Sequence, residues 1–245
     1  AGGTTAPATS AGTLALGLAE TLGALTLAYA IDPDAVVSLD VCPTLTAMDS
    51  MVFPYSGPDR IPLVTAAMQI LADYYGRPGG CHGGKTDACQ AGTQAGMEKA
   101  LSILFPILAG ATGVGTLGHL ENALTFSYQQ LVIDDAIAGY IRRMLSGFAV
   151  NEDTLAFDVI RDVGIGGNYL THPHTASHYR QEFFLSDLVE RLPWASWEAQ
   201  PVRGMEAKAV AKAQRLIAEE RPHPLDAAQE REVDAIVAAA QRELA

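Results

Sequence analysis

The stretch that decides the fold is residues 78–130, PGGCHGGKTDACQAGTQAGMEKALSILFPILAGATGVGTLGHLENALTFSYQQ. It reads as an extended run, a glycine-rich polar loop, a helix, a second glycine-spaced strand and a second polar loop. Residues 78–84 form the short extended run, and 85–94 are polar and small. Met97, Leu101, Leu104, Phe105 and Leu108 then recur at helical spacing, which predicts one apolar stripe. Gly113-Val-Gly-Thr-Leu-Gly118 predicts a second buried strand that runs out into His119-Leu-Glu121-Asn122. Two successive strand-to-helix passages mark a parallel α/β fold, in which polar residues just past strand C-termini bind ligands. The candidate site residues in this stretch are therefore His82, Lys85, Asp87, His119, Glu121 and Asn122.

Working outward, residues 1–10 read as a strand-end loop, and Ser10 is a candidate cap for a helix reaching Ala30, with Leu14, Leu18, Leu22 and Leu25 on one face. Asp32-Pro33-Asp34 is a turn, and the β-branched run 35–41 fits a buried parallel strand. A long loop, 42–58, carries Asp49, Phe53 and Tyr55, and a helix over 61–75 follows, closed by Gly76. Beyond the central stretch a helix over 125–148 places Leu131, Ile133, Ile137, Ile141 and Leu145 inward, and Asn151 caps another over 151–163. These are four βα units, half of the eight in a TIM (β/α)8 barrel. The expected organisation is a partial barrel over 1–163, its C-terminal half, and a C-terminal extension of loop and helices over 164–245 that packs on the barrel or on a second subunit. A half barrel has open sheet edges, so more chain before Ala1 or a partner subunit is expected to cover them.

In the extension, GIGGNYLTHPHTASHYRQEFF gathers His172, His174 and His178, and Trp194 and Trp197 follow. Two charged amphipathic helices close the chain at 204–220 and 225–244, the last with Val233, Ile236, Val237, Ala240 and Leu244 on one face.

Composition bounds the function. The 245 residues suffice for a substantial core, and 49% hydrophobic against 18% charged residues is a globular balance. A net charge of −12 argues against a nucleic-acid partner, whose phosphates demand Lys and Arg. Cys42, Cys81 and Cys89 lack metal-type pairing and read as reduced thiols of a cytoplasmic protein. No signal-peptide pattern opens the chain. The stretch 10–31 is long and nearly uncharged, but Glu20 near its centre would cost roughly 2.5–3.5 kcal/mol in a bilayer, so a buried or interface helix is expected and not a membrane span.

There is no P-loop, HExxH or GxSxG, and the Gly113-x-Gly115-x-x-Gly118 spacing opens no helix, as a dinucleotide fingerprint requires. The histidine trio could ligate metal, but without a flanking cysteine or carboxylate pattern it reads as structural, and no metal is expected. His119 and Glu121 suit catalysis or a rim hydrogen bond. Asp87 suits catalysis or a helix cap, and Lys85 an acidic substrate group or solvent. Phe53 and Tyr55 suit an aromatic cage for a quaternary ammonium or plain loop packing.

A colinear set of short motifs also carries a family likeness: Tyr74-Tyr-Gly-Arg-Pro78, Gly83-Gly-Lys-Thr-Asp87 with Gln90-Ala-Gly92, Ala109-Gly-Ala111, Gly118-His-Leu-Glu121 with Ser127-Tyr128, Gly166-Gly-Asn-Tyr-Leu170, and His174-Thr-x-x-His178-x-Arg180-x-Glu182. Together they resemble the trimethylamine:corrinoid methyltransferase family, which includes glycine betaine methyltransferases. The resemblance spans essentially the whole sequence. It implies a TIM-barrel enzyme that moves a methyl group from a methylated amine to the cobalt of a separate corrinoid protein. On that reading the corrinoid comes with the partner, no cofactor is bound tightly, and the enzyme is a homo-oligomer. It also implies a chain about twice as long, with an absent N-terminal half. Trimethylamine-specific members carry pyrrolysine. None occurs here, so the resemblance points to a quaternary amine such as glycine betaine. Glu121 and Asp87 would then supply negative field as the catalytic pair, His119 or Lys85 would bind the substrate carboxylate, and Phe53 and Tyr55 would pack on the methyls, with Asn122 and His82 lining the site. A non-catalytic betaine-binding relative and a metal-dependent barrel hydrolase are the alternatives.

Overall fold

The computed structural model describes residues 1–219 and 225–244. Helix α1, Ser10–Ile31, is capped by Thr9 and not Ser10, the Thr9 side chain accepting from the Gly12 amide. Its Leu14, Leu18 and Leu25 pack on the core while Leu27 and Ile31 are exposed. By length and composition α1 could cross a membrane. Helix α2, Ile61–Gln69, starts with Pro at its first turn, where the missing amide costs nothing, and runs on into a π-helical turn, Ile70–Tyr74.

Strand β1, Gly80–Cys81, helix α3, Thr93–Leu108, and strand β2, Gly113–Val114, form one parallel βαβ unit, with Gly80 opposite Gly113 and Cys81 opposite Val114. The ladder reaches beyond the strands: Thr112 donates to the Gly79 carbonyl, Gly115 to Cys81 and Gly84 to Gly115. The run 35–41 is not a hydrogen-bonded strand, yet it lies against this pair so closely that a Cβ on Gly79 would meet the Leu39 carbonyl oxygen at 1.9 Å. Leu39, Val41, Val64, Met68, Leu71 and Cys81 make the shared core between sheet and helices. There burial pushes the Cys81 thiol up to about 11.

The predicted strand 113–118 stops at Val114. Strand β3, His119–Leu120, turns back instead to pair antiparallel with β4, Thr125–Phe126. Helix α4, Tyr128–Leu145, therefore starts three residues later than expected, capped by the Ser127 hydroxyl. The helix expected over 151–163 is two, α5, Glu152–Leu155, and α6, Phe157–Val163, broken where Ala156 takes a left-handed conformation; Asn151 caps α5.

The face α3 buries also differs from its apolar stripe. Met97, Leu101, Phe105 and Leu108 are exposed, and Ala95, Lys99, Ser102, Ile103 and Pro106 point inward. The helix passes so close to the glycine-rich end of β1 that a Cβ on Gly83 would meet the Ser102 carbonyl oxygen at 2.4 Å. Small side chains permit that approach, and polar ones satisfy the carbonyls beneath: the Ser102 hydroxyl donates to Gly83, and Lys99 Nζ donates to Gly84 at 2.8 Å. On α4, likewise, Gln130 and Asp134 are buried with Val132, Ile133 and Ile141, while Leu145 is exposed.

After α7, Pro173–Glu182, and α8, Trp194–Glu198, helix α9, Met205–Ala218, packs on α4 through Ala209, Ala213, Leu188, Val132 and Ile133. Helix α10, Ala227–Leu244, leaves Val233, Ile236 and Val237 exposed. Among the described residues the sheet elements do not close into a barrel.

Candidate functional site

Three segments converge at the C-terminal end of β1. The first is 53–60, leading into α2; the second is the 85–88 loop; the third is the turn 121–123 between β3 and β4. Tyr55 donates its amide to Asp87 Oδ1 at 3.0 Å, and Ser56 donates its hydroxyl to the Lys85 carbonyl. The 121–123 turn docks on the second segment, with the Glu121 amide on the Ala88 carbonyl at 2.8 Å and the Asn122 amide on Thr86 at 2.9 Å. Asn122 Nδ2 closes the triangle by donating to the Phe53 carbonyl at 2.8 Å. Glu98 on α3 fixes the loop from beneath, accepting from the Thr86 hydroxyl at 2.5 Å and the Asp87 amide at 2.9 Å.

The turn itself is strained. Glu121, Asn122 and Ala123 all take left-handed φ values, 48°, 58° and 72°, a run that costs roughly 1–2 kcal/mol per residue without glycine. Such strain persists only where surrounding structure over-determines it, and it clusters at functional sites. Among the described residues, two buried polar atoms here have no partner, Oδ1 of Asn122 and Nε of Arg60. Buried polar atoms are normally paired, so each is available to a ligand or water.

Beneath the site lies a fully buried ion pair. Lys99 Nζ meets Asp134 Oδ2 at 2.6 Å with both side chains 0% exposed. Asp134 also accepts from the Gly118 amide at 2.6 Å and from Gln130 Nε2 at 2.7 Å. The pair thus ties the end of β1, through Gly84, to the start of β3, through Gly118. Burial pushes the Asp134 carboxyl up and the Lys99 ammonium down, and each partner opposes the other's shift.

Of the sequence-predicted residues, Phe53, Tyr55, Lys85, Asp87, Glu121 and Asn122 lie on these three segments. Tyr55 does not present an open ring: Lys85 Nζ sits 3.8 Å from its centroid and the Arg60 guanidinium carbon 5.2 Å. Glu121 is exposed and accepts from the Thr125 hydroxyl at 2.7 Å. His119 turns to its own hairpin, its ring edge-to-face with Phe126 at 5.6 Å. His82 pairs instead with Asp40, at 2.8 Å, and Asp40 lines an open cavity of about 450 Å³ between α1 and 37–43.

Sequence reasoning missed Arg60, Lys99 and Asp134. Arg60 is 2% exposed and donates to the Tyr55 carbonyl at 2.5 Å and to Cys42 Sγ at 3.0 Å. The only hint was an arginine directly before a helix, which ordinarily marks a solvated turn.

Burial raises the Asp87 carboxyl above 3.8, opposed by the Tyr55 amide and reinforced by Glu98. A carboxyl with a raised folded pKa binds its proton more tightly in the fold, so its contribution is fully present below pH 3.8 and is lost as pH rises through the folded pKa. Asp87→Asn removes that dependence. As pH rises above 3.8 the wild type is therefore expected to lose stability relative to the variant, read from urea midpoints; parallel curves would contradict it.

The histidine trio is spoken for. His172 and His178 each face a carboxylate at 3.3 Å, Asp162 and Asp153, and the rings of His174 and His178 stack at 4.0 Å. Hydrogen bonds to the His174 carbonyl and to Asp153 raise His178. Among the described residues no group of three or more His, Cys, Asp or Glu side chains is arranged to hold a metal ion.

A βαβ unit that gathers carboxylates, cations and aromatic rings at one strand end has the layout of an α/β enzyme. Comparison with known proteins names the class more closely. The family described as trimethylamine methyltransferase (MTTB) matches residues 1–245. A glycine betaine methyltransferase of Desulfitobacterium hafniense (strain Y51) is 32% identical over 243 residues, 99% of this chain and 50% of the relative. A trimethylamine methyltransferase of D. hafniense (strain DSM 10664 / DCB-2) is 33% identical, covering 91% of this chain and 45% of its own. One from Methanosarcina mazei is also 33% identical, covering 98% and 48%. The chain belongs to the trimethylamine methyltransferase family, and it spans about half the length of the curated relatives it matches.

Proposed function

We propose that the protein transfers a methyl group from a quaternary amine, glycine betaine or a close relative, to the cobalt of a corrinoid carried by a separate protein. The observation that carries this reading is the convergence of Asp87, Lys85, Tyr55 and Asn122 on one strand end, within a chain matched over its whole length by a methyltransferase family.

A quaternary ammonium already bears its charge. When cobalt(I) attacks the methyl carbon, the carbon–nitrogen bond breaks, its electron pair stays on nitrogen, a neutral tertiary amine leaves, and the cobalt becomes methyl-cobalt(III). No general acid is needed. The protein's part is to hold the cation in the field of Asp87 and Glu121, orient one methyl outward and exclude water.

We read the chain as about half of a (β/α)8 barrel. The parallel β1–β2 pair with its α3 crossover and the extended 35–41 run alongside support this. The exposed apolar faces of α3 and α10 suit covering by further polypeptide or by a second copy in a homo-oligomer.

Asp87→Asn preserves an acceptor for the Tyr55 amide but removes the charge. It is expected to slow methyl transfer from glycine betaine to added cob(I)alamin by about tenfold or more, the scale of one charge-assisted contact. An unchanged rate would remove Asp87 from the site.

A further inference from the structure

A second cavity lies away from the strand-end site. It is open, about 260 Å³ in volume, and sits between the C-terminal ends of α4 and α7 and the segment 183–191. A helix rises about 1.5 Å per residue, so Tyr140 on its wall stands roughly 18 Å along α4 from Tyr128, where that helix leaves the β3–β4 hairpin. The walls are largely aromatic. The Tyr140 and Phe184 rings meet edge to face with centroids 5.7 Å apart, and Phe183 and Met144 add exposed apolar surface.

Two guanidinium groups stand among these side chains. Arg143 is committed to the protein: Nη1 donates to the Ser146 hydroxyl and the Gly147 carbonyl, and Nη2 to the Glu182 carbonyl. Arg191 is not. Its Nη1 donates to the Phe184 carbonyl at 2.8 Å and its guanidinium carbon lies 5.8 Å from the Phe183 centroid, which holds the group in place. A guanidinium has five N–H donors, and this contact uses one. Among the described residues no carboxylate lies within ion-pair distance of Arg191. The one carboxylate on the cavity wall, Glu182, is 3.8 Å from Arg143 Nη2. The cavity therefore carries one cation in surplus. A dianion would meet Glu182 and a chain of net charge −12, whereas a monoanion matches the surplus.

We infer that this cavity binds a small organic monocarboxylate with a flat apolar body, at a site separate from the methyl-transfer site. The carboxylate takes the free edge of the Arg191 fork, whose planar geometry suits two parallel N–H···O bonds. The body lies against Tyr140, Phe183 and Phe184, where ring contacts favour a flat partner. Apolar walls with a few fixed polar groups are the usual make-up of a small-molecule site. The inference holds whether or not the methyl-transfer reading does, since the two share no residue.

The test is calorimetric binding of benzoate, benzyl alcohol and inorganic phosphate to the intact protein and to Arg191→Met and Arg191→Lys. Benzyl alcohol keeps the ring without the charge, and phosphate keeps the charge without the ring. Arg191 is exposed, so both variants should fold; far-ultraviolet circular dichroism checks this. One charge-assisted contact corresponds to roughly a 10- to 100-fold change in affinity. The wild type is expected to bind benzoate more tightly than either of the other two by at least the lower factor. Arg191→Met should weaken benzoate by a similar factor and leave benzyl alcohol unchanged. Arg191→Lys keeps the charge but loses the fork, so its benzoate affinity should fall between the two. Absence of benzoate binding at millimolar concentration, phosphate binding as tightly as benzoate, or benzoate affinity indifferent to Arg191→Met would each overturn the inference.

Discussion

Replacing Lys99 by methionine is expected to destabilise the fold by about 3–5 kcal/mol, the cost of stranding one partner of a buried ion pair. Asp134 would keep the Gly118 amide and Gln130 but lose the ammonium at 2.6 Å, in a setting with no access to water. The Gly84 carbonyl would lose its donor as well. The deficit has a pH signature. Without Lys99 opposing it, burial raises the Asp134 carboxyl further above 3.8, so the protonated form is favoured in the fold. The variant's stability should therefore fall as pH rises above that value and recover as pH is lowered towards it. Adding Asp134→Leu should restore part of the loss, but not all, because the Gly118 amide is then orphaned. Urea midpoints across pH read all three outcomes. A single variant within about 1 kcal/mol of wild type would mean that the pair is solvated and holds nothing.

The second large effect is expected at Asn122. Asn122→Leu removes the Nδ2 bond to the Phe53 carbonyl and forces a bulky residue to hold φ 58°. Each change costs about 1–2 kcal/mol, against a turn already strained at Glu121 and Ala123. The core of Val64, Met68 and Leu71 is untouched, so the fold should survive with a displaced loop. A misplacement of about 1 Å costs a reaction on the order of 100-fold, and kcat/KM for methyl transfer is expected to fall by that much. Asn122→Gly tolerates the same φ and loses only the side-chain bond, so it should fall less. Equal losses in the two variants would show that the backbone conformation is irrelevant.

These two positions mark where the sequence was legible and where it was not. The 85–88 loop and the 121–123 turn were readable because polar residues follow glycine-rich, apolar runs, and that pattern places a loop at a strand end. The βαβ unit was readable for the same reason. The inward face of α3 was not. Periodicity ranks faces by apolarity, whereas the helix–strand contact selects for small side chains and for donors to strand-end carbonyls, which Ser102 and Lys99 supply. Lys99, Asp134 and Arg60 look like solvated charges to any rule based on residue type, because only their partners make burial tolerable. His82 and His119 were drawn into the site by position along the chain. Each has a local partner, Asp40 and Phe126, that spacing alone does not reveal. The left-handed turn carried a single hint, an asparagine, since neither Glu121 nor Ala123 favours that conformation.

The most direct test of the account is methyl transfer from glycine betaine, carnitine and trimethylamine to cob(I)alamin by the intact protein, followed by the visible spectrum. Methyl-cobalt(III) formation is expected with a carboxylate-bearing quaternary amine, and none with trimethylamine. Transfer from trimethylamine alone, or no transfer from any of the three by protein that is folded, would contradict it.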